Sequence, residues 1–219
     1  MINSRLPDKS RVAKIVNWGP CKDLSDVHAF LGTIGVAHIF IRNFAHCVHA
    51  IQTLTRKDFP FIFGPEQIAA QDDLKQALLT LPALLLLDYK SPSPVILAIN
   101  TSYIAVGFHL CQCNHDDPRK HYYARFGSIT LNDQEARFSQ PKLELYGLYR
   151  ALCSQKLYLI GICNLVIEVD TWYIKGMLAN TDLEPSASIN CCILAILTSH
   201  FTLVHIPGTF HGPDGLSRR

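Results

Sequence analysis

Charged residues are scarce in this chain, making up 17% of its 219 residues against an average of about 25% in globular proteins. This composition argues against a disordered, tail-like protein, and the 48% of apolar residues is enough to build a packed core. The net charge of +2 is too small to indicate nucleic-acid binding by itself. Long apolar runs are also lacking. The longest, residues 77–87, contains Thr80 and Pro82 and is shorter than the roughly 20 residues that span a bilayer.

A signal peptide is not recognisable at the N-terminus, because residues 1–14 are polar and basic. We therefore expect an intracellular protein, cytoplasmic or nuclear and not secreted, with no membrane partner. In that setting the eight cysteines are expected to be free, buried thiols rather than a disulfide framework. Cys111, Cys113 and His115 suggest a zinc site, but their spacing differs from that of zinc ribbons and fingers. Residues at a strand end are the preferred interpretation.

Residues 1–90 are predicted to form a small helical subdomain. Asp23 offers a cap for a helix whose apolar residues recur every three or four positions, and this pattern continues through residues 39–44. A short third helix is predicted at residues 48–54 and a longer one at residues 66–79.

Residues 91–219 are predicted to form a mixed α/β domain, beginning after the Ser-Pro repeat at residues 91–94. Three strand-like runs at hairpin spacing come first, followed by a helix that Pro141 opens. The remaining predicted elements, in chain order, are a strand at 165–169, helices at 173–178 and 189–198, a strand at 201–206 and a helix at 213–219. This order indicates helices packed on a mixed sheet.

Three carboxylates lie in settings that suggest one shared site. Taken singly, Glu144 is an ordinary acid in the first turn of a helix, Asp170 an ordinary helix cap and Asp214 an ordinary turn residue. Their order along the predicted strands and helices is more informative than any one of them. The first predicted strand ends at Asn100, where a fourth carboxylate would complete such a site.

Sequence motifs over nearly the whole length resemble one family. Those in the first part are Asn17-Trp18-x-Pro20, Phe30-Leu31-Gly32, Phe40-Ile41-x-x-Phe44 and Leu74-Lys75-x-x-Leu78-x-x-x-Pro82. Those in the second part are Ala105-x-Gly107-x-x-Leu110-x-Gln112, Glu144-Leu145, Val169-Asp170 and Pro207-Gly208-x-x-x-x-x-Asp214-x-Leu216-Ser217-Arg218. Together they resemble the reverse transcriptase polyprotein of Ty3/gypsy-type LTR retrotransposons, namely its thumb or connection region followed by an RNase H-like domain.

The resemblance implies an RNase H-like mixed five-stranded sheet flanked by helices, preceded by the helical subdomain. It also implies metal-dependent endonucleolytic hydrolysis of the RNA strand in RNA–DNA hybrids. Two Mg²⁺ ions would be held by position 100, Glu144, Asp170 and Asp214. The family has aspartate in an Asp-x-Ser setting where this chain has Asn100-Thr101-Ser102. An amide offers one neutral oxygen to a cation, so the substitution implies weakened metal binding and impaired catalysis.

Further contacts follow from the same resemblance. His211 is a candidate for assisting product release, and Ser102, Arg125 and Lys142 are candidates for touching nucleic acid, although scattered basic residues are more often solvated surface. The implied partners are an RNA–DNA hybrid and the polymerase palm and fingers of the same polyprotein. No Tyr-x-Asp-Asp polymerase signature occurs in the sequence, so we expect no polymerase site here.

Three interpretations stay open at this point. The first is a ribonuclease H domain that still cleaves hybrids, at a reduced rate. The second is a catalytically inactive, degenerate fragment that acts at most as a nucleic-acid or protein binding module. The third is an unrelated α/β binding module in which the order of the carboxylates is a coincidence.

Overall fold

The computed structural model describes residues 4–206 apart from 43, 58, 82, 118 and 180–186. Within them lie seven α-helices and seven β-strands. The N-terminal part contains β1 (Ser4–Arg5), α1 (Lys9–Val16), α2 (Leu24–Gly35), α3 (Phe44–Thr53), α4 (Pro65–Leu79) and β2 (Leu84–Leu85). The remainder contains β3 (Val95–Thr101), β4 (Ala105–Cys113), β5 (His121–Thr130), α5 (Gln140–Leu159), β6 (Leu165–Val169), α6 (Tyr173–Ala179), α7 (Ala187–Leu197) and β7 (Thr202–His205).

The helical subdomain has its own buried core, built from α1 to α4 and centred on Phe30, Ile34 and Leu74. The cap predicted for α2 is present, since the Asp23 side chain accepts a hydrogen bond from the Asp26 amide at 2.7 Å. The helices predicted at residues 48–54 and 66–79 correspond to α3 and α4.

Two features of this part differ from the sequence prediction. The helical pattern does not continue through residues 39–44, because a 3₁₀ turn at His38–Phe40 gives way to extended backbone at Ile41. The pair of strands β1 and β2, which run antiparallel with Arg5 opposite Leu84, was not predicted. Runs of two residues carry no readable alternation of polar and apolar side chains, and this sheet depends on a contact between distant parts of the chain.

The main sheet has the predicted five strands in a mixed arrangement, with the order β5-β4-β3-β6-β7. The pairs β5–β4 and β4–β3 are antiparallel, whereas β3–β6 and β6–β7 are parallel. Strands β3 and β4 are buried along nearly their full length, which explains why their sequences are mostly apolar and do not alternate with polar residues. The predicted fold class is therefore confirmed.

Helix α5 covers one face of the sheet. Leu145 and Leu148 pack with alternate residues of β3, including Leu97 and Ile99, in the largest hydrophobic cluster. The C-terminal residues of α5 line a cavity together with Leu165, the first residue of β6. Helix α5 therefore runs antiparallel to the parallel strands β3 and β6, and its N-terminus lies near their carboxyl ends.

The helical subdomain contacts the outer strand β5. Ser128 of β5 accepts a hydrogen bond from the Ala45 amide through its hydroxyl at 2.8 Å. The Arg42 guanidinium lies 4.9 Å from the ring centroid of Phe126, which is buried against Phe40. The division between residues 1–90 and 91–219 stays a prediction.

All eight cysteines are free, as predicted. The expectation that they are buried is wrong for Cys153, Cys163 and Cys191, which are exposed. Cys111 is buried within β4, and burial, with a smaller contribution from Glu168, raises its pKa to about 12. Both Cys111 and Cys113 lie within β4, which agrees with their interpretation as strand residues. Across the ranges described above, no helix is both long and apolar enough to cross a membrane.

A close approach between α5 and β3 should make Gly147 sensitive to any added side chain. A Cβ atom at Gly147 would collide with the Thr101 hydroxyl and lie 2.9 Å from the Thr101 Cβ. We expect Gly147→Ala to lower the free energy of unfolding by about 1–3 kcal/mol, as overpacking does in other cores.

Gly32 provides the matched control, because it lies in α2 with no atom within 4 Å of an added Cβ. There the same substitution should stabilise by up to about 1 kcal/mol through helix propensity alone. Urea unfolding of both variants measures the difference, and equal effects would contradict the close packing of α5 on β3.

Candidate active site

The parallel strands β3 and β6 bring two predicted site residues to the same edge of the sheet. Ile99 lies opposite Val169 in the register, so Asn100 and Asp170 follow at the carboxyl ends of neighbouring strands. Loops at the carboxyl ends of parallel strands are where α/β proteins place their sites. Asn100 is fully buried and Asp170 is partly buried. The sequence order alone could not establish that these two positions are neighbours.

Asn100 and Thr101 point to opposite faces of β3. Thr101 faces α5, where it meets Gly147, and the alternation of a strand turns Asn100 toward the face that Ile96 and Ala98 occupy. The amide at position 100 is therefore part of the packed end of the strand. A carboxylate at this position would be buried equally deeply.

Glu144 lies in the first turns of α5, three residues before Gly147, and is 5% exposed. Its Oε1 accepts a hydrogen bond of 2.6 Å from Nε2 of Gln140. Because Gly147 packs on the end of β3, Glu144 lies toward the edge at which Asn100 and Asp170 are found. A buried glutamate in an otherwise apolar helix face costs free energy unless it has polar or charged partners, which is the first structural indication that it serves a site.

Tyr173, the first residue of α6, connects the two carboxylates. Its pKa is raised to about 12, first by burial and then by the negative charges of Glu144 and Asp170. Both carboxylates therefore lie within electrostatic reach of one phenol. This gives the clearest structural support for the prediction that Glu144 and Asp170 share a site.

Sequence reasoning missed Tyr173, Gln140 and His205 as neighbours of the candidate site. His205 ends β7, and its Nε2 lies 3.0 Å from the Asp170 carbonyl oxygen. Its position follows from the parallel pairing of β6 with β7, which sets Val169 opposite His205. Gln140 could have been found from its spacing, since a residue four positions before Glu144 lies on the same face of a helix.

The described residues do not by themselves supply a ligand set for two metal ions. Nowhere in the described part of the chain do three or more His, Cys, Asp or Glu side chains form a group able to hold a metal. Glu144 and Asp170 contribute two carboxylates, and position 100 contributes an amide. The other predicted site residues, Asp214 and His211, lie outside the described residues.

The residues predicted to touch nucleic acid are engaged within the chain. The Ser102 hydroxyl accepts hydrogen bonds from the amides of Ile104 and Ala105, both at 3.2 Å, in the turn that joins β3 to β4. Lys142 Nζ lies 4.0 Å from the Phe138 ring centroid, and the Arg125 guanidinium lies 4.6 Å from that of Tyr158. Arg125 lies in β5, away from the edge that carries Asn100 and Asp170. The predicted contacts of these three residues stay predictions.

Comparison with known proteins connects this geometry with reverse transcriptases. Residues 63–167 match the model of the RNase H-like domain found in reverse transcriptase. Over 214 residues the chain is 24% identical to the Transposon Tf2-3 and Tf2-4 polyproteins of Schizosaccharomyces pombe, covering 97% of this chain. It spans 16% of the length of these relatives.

Two solved structures share the fold at 15% sequence identity. One is a foamy viral protease-reverse transcriptase dRH in complex with double-stranded DNA, with a TM-score of 0.74 over 92% of this chain and 35% of that one. The other is a foamy viral protease-reverse transcriptase in complex with an RNA/DNA hybrid, with a TM-score of 0.72 over 97% of this chain and 28% of that one. These similarities extend over both the helical subdomain and the five-stranded sheet.

The electrostatic link through Tyr173 can be tested by titration. We expect Glu144→Gln to lower the pKa of Tyr173 from about 12 toward the ordinary value of 10.0, because one of the two nearby charges is removed. The absorbance change of tyrosinate measures it, with Tyr173→Phe identifying this phenol among the eight tyrosines.

The sign of the pH effect on stability follows from the same pKa. Because the folded-state pKa of Tyr173 is raised, its contribution to stability is fully present below about pH 10 and is lost as the pH rises toward 12.

Asp72→Asn, at an exposed position on α4, serves as the control for the titration of Tyr173 and should leave the pKa of Tyr173 unchanged. If the pKa of Tyr173 is unchanged in Glu144→Gln, then Glu144 does not lie near Tyr173 and does not share a site with Asp170.

Proposed function

We propose that this chain, whose residues 63–167 match the model of the RNase H-like domain found in reverse transcriptase, is a hybrid-binding ribonuclease H domain with impaired catalysis. The observation that carries the proposal is the position of Asn100. It is fully buried at the end of β3, beside the strand end that bears Asp170 and at the edge toward which Glu144 lies. A neutral amide thus occupies the place where the family's chemistry needs a charge.

The proposed reaction is hydrolysis of the RNA strand of an RNA–DNA hybrid. Divalent cations, Mg²⁺ by preference, would supply an activated water and charge stabilisation for the phosphodiester when bound. Glu144 and Asp170 would hold them, with Asp214 as the third carboxylate. Hard cations take oxygen ligands, and the close approach of two of them demands several negative charges. Asn100 lowers that charge by one, so the pairing of two ions is the function most affected.

The side chains around the site support binding of a nucleic acid. Tyr103 and Trp172 follow β3 and β6 respectively, and both are highly exposed, at 68% and 75%. Aromatic faces at the mouth of a site can stack on bases. The polymerase palm and fingers of a longer polyprotein are proposed as the natural context of the domain, in line with the small share of the Tf2 relatives that it spans.

The second candidate function is a catalytically inactive binding module. The buried amide favours it as well, because Asn100 is nearly isosteric with aspartate and preserves the packing of the strand end while removing a charge. The two candidates differ in metal binding. An impaired nuclease retains at least one measurable Mg²⁺ site, whereas an inactive module binds none at millimolar concentration. Isothermal titration with Mg²⁺, using Glu144→Gln as the site-deleted control, separates them.

Restoring the carboxylate provides the direct test of impaired catalysis. We expect Asn100→Asp to increase cleavage of an RNA–DNA hybrid in Mg²⁺ by at least about tenfold, which corresponds to roughly 1.4 kcal/mol of transition-state stabilisation. Mn²⁺ should narrow the difference by binding the weakened site more tightly. The matched control is the double variant Asn100→Asp with Glu144→Gln, which should lose the gain. Equal activity of Asn100→Asp and the parent would contradict the proposal.

The same substitution should destabilise the metal-free fold. A carboxylate at position 100 would be fully buried at a strand end beside the one that bears Asp170, and a buried charge without a counter-charge is costly. We expect the melting temperature of Asn100→Asp to fall relative to the parent in EDTA and to recover in Mg²⁺. Asn132→Asp, at an exposed position in the loop after β5, is the control for an added charge and should show neither effect. A melting temperature of Asn100→Asp that does not respond to Mg²⁺ would mean that position 100 does not take part in metal binding.

A further inference from the structure

A cavity of about 240 Å³ lies at the other end of α5 from the candidate active site. Its polar lining consists of two arginines, Arg5 and Arg125, and two tyrosines, Tyr89 and Tyr158. The rest of the wall is formed by Ile39, Leu85, Leu86, Leu87 and Ala124. No Asp or Glu is found among these lining residues.

The cavity is assembled from five separate parts of the chain. The pairing of β1 with β2 brings in Arg5, which lies opposite Leu84. A shift of register between β4 and β5 leaves Ala124 without an opposite residue, next to Arg125. Tyr89 donates a hydrogen bond of 3.0 Å to the carbonyl oxygen of Tyr158, which ties the segment between β2 and β3 to the end of α5.

The charge in the cavity is positive and is not neutralised by the described part of the chain. Arg125 is partly buried, and its Nε atom has no hydrogen-bond partner there. The Arg125 guanidinium lies over the Tyr158 ring, 4.6 Å from the ring centroid, and in the described part of the chain no carboxylate is paired with it. Burial lowers the pKa of Arg125, the phenol of Tyr158 counteracts this, and the charge of Arg5 lowers it further. Two guanidinium groups that repel each other in one concave site would both gain from an anion between them.

We propose that this cavity binds a phosphate group between Arg5 and Arg125. The planar fork of a guanidinium matches the oxygens of a phosphate, and two such groups line this cavity with no carboxylate in its wall. With a volume of about 240 Å³, the cavity is large enough to hold a phosphate group.

The site is separate from the candidate active site. Tyr158 follows Glu144 by about four helical turns along α5, or roughly 21 Å at 1.5 Å per residue. That distance corresponds to about six nucleotide steps at roughly 3.4 Å per step. The backbone phosphate of a nucleic acid that also reaches the candidate active site is therefore one source of the anion, and a free phosphate or nucleotide is the other.

The test uses the full chain in EDTA, so that it depends neither on metal nor on cleavage. The first arm measures binding of inorganic phosphate by isothermal titration at constant ionic strength, with chloride as the reference anion. We expect phosphate binding in the parent and about tenfold weaker binding in Arg5→Gln, since a hydrogen bond to a charged group contributes roughly 1.5 kcal/mol or more. The control Arg11→Gln, at an exposed position on α1 outside the cavity, should bind as the parent does.

A second variant distinguishes a loss of phosphate binding from a loss of the fold. Arg125→Lys keeps the charge and loses the fork, so it should fold and bind phosphate more weakly, and circular dichroism confirms that the fold is kept. Phosphate that behaves as chloride does, or that binds Arg5→Gln and Arg125→Lys as tightly as the parent, would overturn the proposal.

The second arm identifies the source of the phosphate. An RNA–DNA hybrid is titrated against the same variants, and the salt dependence of its binding is recorded. Weaker hybrid binding and a smaller salt slope in Arg5→Gln, but not in Arg11→Gln, support a backbone phosphate. Unchanged hybrid binding combined with lost phosphate binding supports a free phosphate or nucleotide. Because no arm measures hydrolysis, the outcome is independent of whether the proposed nuclease is active.

Discussion

The parallel pairing of β3 with β6, together with the packing of α5 on β3, sets the geometry of the candidate active site. Parallel strands place their carboxyl ends at one edge, so Asn100 and Asp170 become neighbours although seventy positions separate them. The close contact of Gly147 with Thr101 then fixes where along β3 the helix sits, and this brings Glu144 toward the same edge. A side chain larger than hydrogen at Gly147 would push the helix, and Glu144 with it, away from the strand ends.

This arrangement explains how the fold can be kept while the proposed metal binding is weakened. Asn100 is fully buried, so the strand end requires a side chain of that size and shape. Packing distinguishes poorly between an amide and a carboxylate, which are nearly isosteric. Metal binding distinguishes them strongly, because it depends on charge. A single substitution of this kind leaves the core intact while changing what the site can hold.

The two ends of α5 differ in charge. Its N-terminal end carries Glu144 near Asp170, whereas its C-terminal end carries Tyr158 beneath Arg125 and close to Arg5. The second location needs the N-terminal segment, because β1 delivers Arg5. The helical subdomain and the sheet are thus joined both by the packing around Phe126 and by the lining of one cavity.

Several elements could be predicted from the sequence because their signals are local. Asp23 identified the start of α2, and the apolar run at 165–169 coincides with β6. Helix α1 was missed, although Asp8 caps it by accepting hydrogen bonds from the amides of Ser10 and Arg11, because it has only eight residues and Ile15 is its only buried residue. The exposure of Cys153, Cys163 and Cys191 was also missed, since apolar character does not indicate which side of an element faces solvent.

From the sequence follow the order of strands and helices in residues 95–206, the family resemblance and the amide at position 100, because these depend on local patterns and residue identities. Which residues come into contact becomes clear only in the folded chain. The fold brought Glu144 and Asp170 within reach of Tyr173, set His205 against the Asp170 backbone, and joined Arg5 to Arg125. These contacts could not be predicted because strand register and helix packing depend on interactions between distant parts of the chain, and local sequence patterns do not contain that information.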